Sequence, residues 1–154
     1  MRYEFCASVS AVQDEWRSLI DGSTVAPEDE IGGRMGFQLQ IEQMPGYLAA
    51  RFIGAGEPGE ASARFESIAG HCKRTYNDKL LIDATRYNVK VSVIDRFFFG
   101  TSSQIFAVHR IKVAFVCRPE QLDERRFGRL VAENRGVTVE AFTDFQSAKE
   151  WLLK

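Results

Sequence analysis

The residues best placed for chemistry follow a short apolar run in the middle of the chain. The run from Leu80 to Ile82 is followed by a polar stretch from 83 to 90. An unbroken apolar run of this length is typical of a central strand covered on both faces. In open α/β sheets, ligands and switches lie beyond the carboxyl ends of the strands, so we expect residues 84 to 90 to form a turn that carries the site. The candidate switch or ligand residues are Asp83, Thr85, Arg86, Tyr87 and Ser92.

A glycine motif before the first long helical pattern is the second candidate. Gly54, Gly56 and Gly59 match the pattern G-x-G-x-x-G, whose glycines let the backbone approach the pyrophosphate of a dinucleotide. However, Glu57 would bring like charge to the phosphates, and too little chain follows for a second nucleotide-binding half. The sequence favours a flexible bend, and a nucleotide-binding site stays as an alternative.

Three consecutive phenylalanines form the third candidate. Phe97, Phe98 and Phe99 lie in a predicted helix over 93 to 107 that also carries Phe106. A helix turns about 100° per residue, so the three rings cannot all face one sheet. The cluster predicts an apolar pocket wall, a patch that touches a membrane, or an interface between copies of the chain. The remaining possibility is that an N-terminal helix carrying Trp16 covers it.

Composition argues against several other kinds of site. A net charge of −1 over 154 residues gives no general attraction to nucleic acid. Cys6, Cys72 and Cys117 are widely spaced and odd in number, which predicts reduced thiols and a cytoplasmic location. His71 and His109 have no partner at the spacing of metal ligands. We therefore expect no metal and no cofactor.

Two segments must position these residues. Residues 1 to 36 are predicted to form an extension, with one short helix over 10 to 20 and then an acidic, glycine-rich linker. The domain proper is predicted over 37 to 154, and it opens with an antiparallel hairpin whose strands turn near 45.

Helices and strands then alternate along the rest of the domain. The patterns predict a helix over 61 to 76, the central strand, the helix over 93 to 107, a strand over 111 to 116, a helix that ends at Gly136, a strand over 137 to 142, and a last helix capped by Thr143. The order ββαβαβαβα predicts an α/β fold with a mixed sheet of about five strands, in which right-handed crossovers make the later strands parallel.

The end of the chain resembles a known family. The run from Arg135 to Asp144, followed by Ala-Lys-Glu-Trp-Leu over 148 to 152, resembles the bacterial STAS-like family, relatives of the sporulation anti-sigma-factor antagonists. The resemblance covers about residues 37 to 154. In the phosphorylation-switched members of that family, a serine opens the helix after the central strand, and Ser92 falls at the corresponding place. Val91 replaces the aspartate that precedes this serine in the family, so Ser92 is either a plain helix cap or a switch.

The resemblance implies a regulatory module that is not an enzyme and that binds a protein partner or a second copy of itself. Two alternatives remain open on the residues alone. The phenylalanine cluster is compatible with a carrier of a small apolar or lipid ligand or with a module that associates with membranes, and the glycine motif is compatible with a nucleotide-binding enzyme.

Overall fold

A mixed five-stranded sheet organises the structure, a computed structural model that describes residues 36 to 154. The strands are β1 (Gln38–Met44), β2 (Tyr47–Ala55), β3 (Lys79–Asn88), β4 (Lys112–Val116) and β5 (Val139–Phe142). The helices are α1 (Pro58–Ser62), α2 (Phe65–Arg74), α3 (Val93–Ser102), α4 (Gln104–Val108), α5 (Phe127–Glu133) and α6 (Phe145–Leu153). The helix predicted over 10 to 20 and its linker lie outside the described residues, and the boundary at 36/37 stays a prediction.

The sheet has the predicted topology. β1 and β2 pair antiparallel, with Met44 opposite Tyr47 across a tight turn in which Gly46 takes a positive φ of 86°. β2, β3, β4 and β5 then pair in parallel, and the spatial order β1-β2-β3-β4-β5 is the order in the chain. The run from Leu80 to Ile82 is almost fully buried in the central strand. The prediction that this run is a buried central strand is therefore confirmed.

The two faces of the sheet are covered differently. Alternate residues of β2 and β3, such as Phe52 and Ile82, form the main core with α2, α4 and α5. The opposite face is packed by α6, which contacts β3, β4 and β5. There Trp151 lies 5.8 Å from the ring of Phe142, and Lys112 Nζ lies 4.3 Å from the Trp151 ring. Trp151 thus packs the last helix on the sheet, as expected.

The three helices that directly precede parallel strands, α2, α4 and α5, end with the same backbone conformation. The chain turns out of α2, α4 and α5 through a residue with positive φ, and the amide after it bonds back to a carbonyl in the last turn, as in a Schellman motif. The left-handed residues are Tyr76 (57°), Arg110 (55°) and Gly136 (83°). The returning bonds are Asn77 N to Cys72 O, Ile111 N to Phe106 O and Val137 N to Ala132 O. The prediction of Gly136 as a helix end is confirmed.

Helix boundaries differ from the prediction in three places. The single helix predicted over 61 to 76 is two helices, α1 and α2. The helix predicted over 93 to 107 is interrupted at Ser103, which lies between α3 and α4. The Ser103 hydroxyl donates to Gly100 O at 2.6 Å. The last helix is capped by Asp144 and not by Thr143, because the Asp144 carboxylate accepts the amide hydrogen of Ser147 at 2.8 Å. None of the helices in residues 36 to 154 is long and apolar enough to cross a bilayer.

Candidate functional site

The segment expected to be a turn is a continuation of the central strand. β3 runs to Asn88 because β2 continues beside it, with Ala55 opposite Asn88. A bulge allows this extension: Arg51 pairs with Asp83, whereas Ile53 pairs with Arg86, so β3 carries one extra residue. The prediction of a turn over 84 to 90 is therefore wrong, since inter-strand pairing holds most of that stretch.

Asp83 lies in the interior and not at the rim of the sheet. Its Oδ1 accepts hydrogen bonds from the amide and the hydroxyl of Thr85, at 2.9 and 2.7 Å. Its Oδ2 lies 3.6 Å from Nε of Arg51, and both side chains are fully buried. Burial raises the pKa of Asp83 despite the bonds from Thr85 and the charge of Arg51. Burial also lowers the pKa of Arg51, to about 10, so desolvation outweighs mutual attraction for both members of the pair.

The bulge also turns Tyr87 into the core. Its hydroxyl donates to the carbonyl of Glu57 at 2.6 Å, and its ring packs 6.0 Å from that of Phe52. Burial, followed by the charges of Glu60 and Glu57, raises the pKa of Tyr87 to about 12. Tyr87 therefore ties β3 to the start of α1. Arg86 and Thr85 are half-buried in the strand.

Of the five candidate switch or ligand residues, Ser92 is the one that is exposed. It is the N-cap of α3, and its backbone amide and its hydroxyl both donate to Oδ2 of Asp95, at 2.8 and 2.6 Å. In return, the Asp95 amide donates to the Ser92 hydroxyl at 3.2 Å. These bonds lower the pKa of Asp95. The predicted capping box is confirmed; whether Ser92 is ever a switch stays a prediction.

An exposed apolar surface begins directly after Ser92. Val93 and Ile94 are 70% and 62% exposed, and Phe97 and Phe98 are 39% and 55% exposed. Residues at i, i+1, i+4 and i+5 share one side of a helix, so these four side chains form one patch, which we call the α3 surface. The sequence interpretation centred on the phenylalanines, and the exposure of Val93 and Ile94 extends the patch to the helix N-terminus.

The other two phenylalanines of the cluster point inward. The Phe99 ring packs edge-on against Phe65 and Phe115, with centroids 4.6 and 5.2 Å apart. Phe106 is only 1% exposed and packs 5.1 Å from Phe65. The predicted cluster is thus divided between a surface, Phe97 and Phe98, and the core, Phe99 and Phe106.

Behind α3 lies a cavity that the sequence did not reveal. It has a volume of about 180 Å³ and lies between the core face of the sheet and the helices α1 to α5. Phe99 and Phe106 belong to its wall, and Arg96 is among the polar residues that line it. The lining residues come from four strands and five helices, so no local pattern could have indicated the cavity.

The glycines of the G-x-G-x-x-G motif have structural roles here. Gly54 has a φ of 99°, and a side chain at this position would collide with the backbone carbonyl of Gly36. A side chain at Gly56 would collide with the carboxylate of Glu60. Gly59 lies inside the five-residue helix α1. The positive φ and the close backbone contact therefore account for Gly54. The Glu60 carboxylate is the flexible end of its side chain and could move aside, so this contact does not by itself require glycine at 56.

The two cysteines that the structure describes are buried, and their thiols are not activated. Cys72 is fully buried, and burial raises the pKa of its thiol to about 12. Burial also raises the pKa of Cys117. Within residues 36 to 154, no three His, Cys, Asp or Glu side chains lie close enough together to hold a metal ion.

Comparison with known proteins identifies the fold. No known family matches the sequence, and no curated protein does. Among solved structures, an anti-sigma factor antagonist from Mycobacterium paratuberculosis superposes with a TM-score of 0.52 at 14% identity, over 85% of this chain and all of that one. An uncharacterised protein from Shewanella loihica with a SpoIIAA-like fold gives a TM-score of 0.46 at 18% identity, over 76% of this chain and 94% of that one. At this identity the first likeness shows the fold alone: this chain has a STAS-like fold, the fold of that anti-sigma factor antagonist.

Proposed function

We propose that this protein is a non-catalytic regulatory module that works by contact with another protein, and that the α3 surface is the contact. The fold supports the first part, because the similar structure from Mycobacterium paratuberculosis is an anti-sigma factor antagonist. The second part rests on one observation, the exposure of four apolar side chains on one side of α3.

Exposing these apolar side chains to water is unfavourable unless another surface covers them. Isolated exposed apolar side chains are common, but contiguous patches on one element mark interaction sites more often than chance. Phe97 and Phe98 pack edge to face at 5.8 Å and so form a continuous aromatic area. Aromatic side chains are the usual anchors of protein interfaces, because they bury much area with few rotatable bonds.

Phosphorylation of Ser92 would regulate this contact. Its hydroxyl is exposed beside the α3 surface and lies 2.6 Å from the Asp95 carboxylate. A phosphoryl group on Ser92 would bring about two negative charges against that carboxylate, so the capping box would open and the first turn of α3 would loosen. The proposed switch therefore acts by repulsion inside the cap, next to Val93 and Ile94.

Site-specific photo-crosslinking in the native cells tests the contact. A benzophenone amino acid replaces Phe98, and in a matched control it replaces Tyr76, which is 96% exposed in the loop after α2. We expect one crosslinked species of defined mass from position 98, either a heterologous partner or a dimer of this chain, and none from position 76. Ile94→Asp should remove the crosslink while the circular dichroism spectrum is unchanged.

A crosslink from both positions, or from neither, would contradict the proposal that α3 is the contact. Light scattering of the purified protein then separates the two kinds of partner. A dimer that becomes a monomer in Ile94→Asp identifies a second copy, and a monomer throughout identifies a different chain.

A further inference from the structure

The cavity behind α3 has the size of a small organic molecule. Its volume is about 180 Å³, whereas an engineered apolar cavity of roughly 150 Å³ is known to bind benzene. Protein interiors are otherwise packed as densely as organic crystals. A half-open pocket of this volume therefore leaves room for a molecule of one or two rings.

The walls of the cavity are aromatic. Six rings line it, contributed by Phe52, Phe65, Tyr87, Phe99, Phe106 and Phe115. Phe99 meets two of them edge to face, so both ring faces and ring edges are available around the cavity. Aromatic pairs prefer offset or edge-to-face packing, and a flat ring loses less conformational freedom on binding than a flexible acyl chain does. The walls therefore favour an aromatic ligand over an aliphatic one.

One cation lining the cavity is weakly engaged. Arg96 lies in the first turn of α3, and its side chain is 22% exposed. Its Nη1 is 3.6 Å from Oδ2 of Asp123, which is beyond hydrogen-bonding distance. The side chain donates no hydrogen bond to any residue from 36 to 154. The planar guanidinium is therefore able to donate two parallel hydrogen bonds to a carboxylate.

The acidic groups nearby are already occupied. Asp95 and Asp123 also line the cavity. The carboxylate of Asp95 is held by Ser92, and that of Asp123 accepts the amide hydrogens of Arg125 and Phe127, at 3.2 and 2.6 Å. Neither acid therefore depends on Arg96 for its hydrogen bonds.

The other two arginines that line the cavity are engaged elsewhere. Arg126 donates to Oε1 of Glu140 at 2.6 Å. Arg129 pairs with Glu133 at 2.9 Å and with Glu140 at 3.4 Å. Of the three arginines, Arg96 has the longest ion pair and so the guanidinium that is least engaged.

We propose that the cavity binds a small aromatic carboxylic acid, with its ring among the six aromatic side chains and its carboxylate on Arg96. Binding requires no protein partner. If α3 is also the contact surface, the same ligand would touch that helix from its inner side, since Arg96 and Phe99 lie there and Phe98 lies outside.

Titration calorimetry of the full chain tests the ligand class with three probes. These are 2-naphthoate, its neutral isostere 2-naphthamide, and decanoate as an aliphatic acid. We expect saturable binding of 2-naphthoate and affinities about tenfold weaker for each of the other two, because each lacks one of the two matched features. Equal affinity for decanoate would overturn the aromatic class, and no binding of 2-naphthoate up to about 1 mM would overturn the site itself.

Two kinds of variant test the location. Arg96→Met keeps the apolar stem, and we expect it to weaken 2-naphthoate binding about tenfold and to abolish the preference over 2-naphthamide. Arg125→Met is the matched control, since Arg125 is exposed and does not line the cavity. Val139→Phe should fill the cavity from β5 and abolish binding, and Ala141→Leu serves the same purpose if the first variant does not fold. Unchanged affinity in Arg96→Met or in a folded cavity-filling variant would overturn the assignment.

Discussion

Replacing Tyr76 by glycine should stabilise the protein. Tyr76 holds a left-handed conformation, with φ of 57°, immediately after α2. In this conformation, backbone strain destabilises a residue with a Cβ atom by about 1–2 kcal/mol. Glycine avoids the strain, but it makes the unfolded chain more flexible and so lowers stability by about 0.4–1 kcal/mol. The tyrosine side chain is 96% exposed and contributes little burial. The net gain in the free energy of unfolding for Tyr76→Gly is about 1 kcal/mol.

Urea denaturation followed by circular dichroism measures this gain, with an expected rise of about 3–5 °C in Tm as a second readout. Tyr76→Ala is the control, because it removes the same side chain but keeps the strained backbone, and its change should stay within about 0.5 kcal/mol. Gly136→Ala tests the reverse. Its new Cβ would lie 3.8 Å from Cβ of Ala107, an ordinary contact, so backbone strain alone should cost about 1 kcal/mol. If Tyr76→Gly were no more stable than Tyr76→Ala, the strain argument would be refuted.

Three further predictions concern single side chains. Ser92→Ala removes the hydroxyl that accepts the Asp95 amide and should cost about 1 kcal/mol by urea denaturation; an unchanged midpoint would show that the cap contributes nothing. Lys112→Met removes an ammonium that donates to Trp151 O at 2.6 Å, near the carboxyl end of α6, and should cost about 1 kcal/mol, with less loss in high salt if the charge matters. Burial raises the pKa of Asp83, so its contribution to stability is greatest below the ordinary aspartate pKa of 3.8 and falls as pH rises through the folded value. The stability of Asp83→Asn should therefore increase relative to that of the native protein as pH rises above 3.8, and a difference that is constant with pH would contradict the raised pKa.

The architecture was predictable because hydrophobic patterns report burial directly. The run from Leu80 to Ile82 is typical of a strand covered on both faces, and the alternation after Phe37 is typical of a half-buried strand. Gly136 marked a helix end because glycine is the residue that tolerates positive φ. Tyr76 and Arg110 end helices in the same way, but their types carry no such signal. Tertiary structure imposes the conformation there against the local preference.

The predicted ligand loop failed for a different reason. The polar residues from Asp83 to Arg86 are typical of a turn, but the pairing of β2 with β3 extends both strands beyond the apolar run. The Asp83 carboxylate remains inside because Thr85 and Arg51 surround it with donors and charge. Sequence patterns record the polarity of a side chain and not the partners that make its burial tolerable, so Asp83 was placed at the end of the strand and not in its middle.

The residues of the α3 surface and those that line the cavity from α3 owe their positions to this one helix. Ten residues of α3 present two different faces: Ile94 and Phe98 to solvent, and Arg96 and Phe99 to the cavity. Gly100 fixes the orientation of α3, since a Cβ there would collide with the carbonyl of Gly128 and with the side chain of Val131. α3 is therefore locked against α5 at its carboxyl end, while its amino end depends on the exposed capping box at Ser92. A helix anchored at one end and capped at the surface at the other is suited to transmit a change at its cap, or in the cavity behind it, to the apolar surface between them.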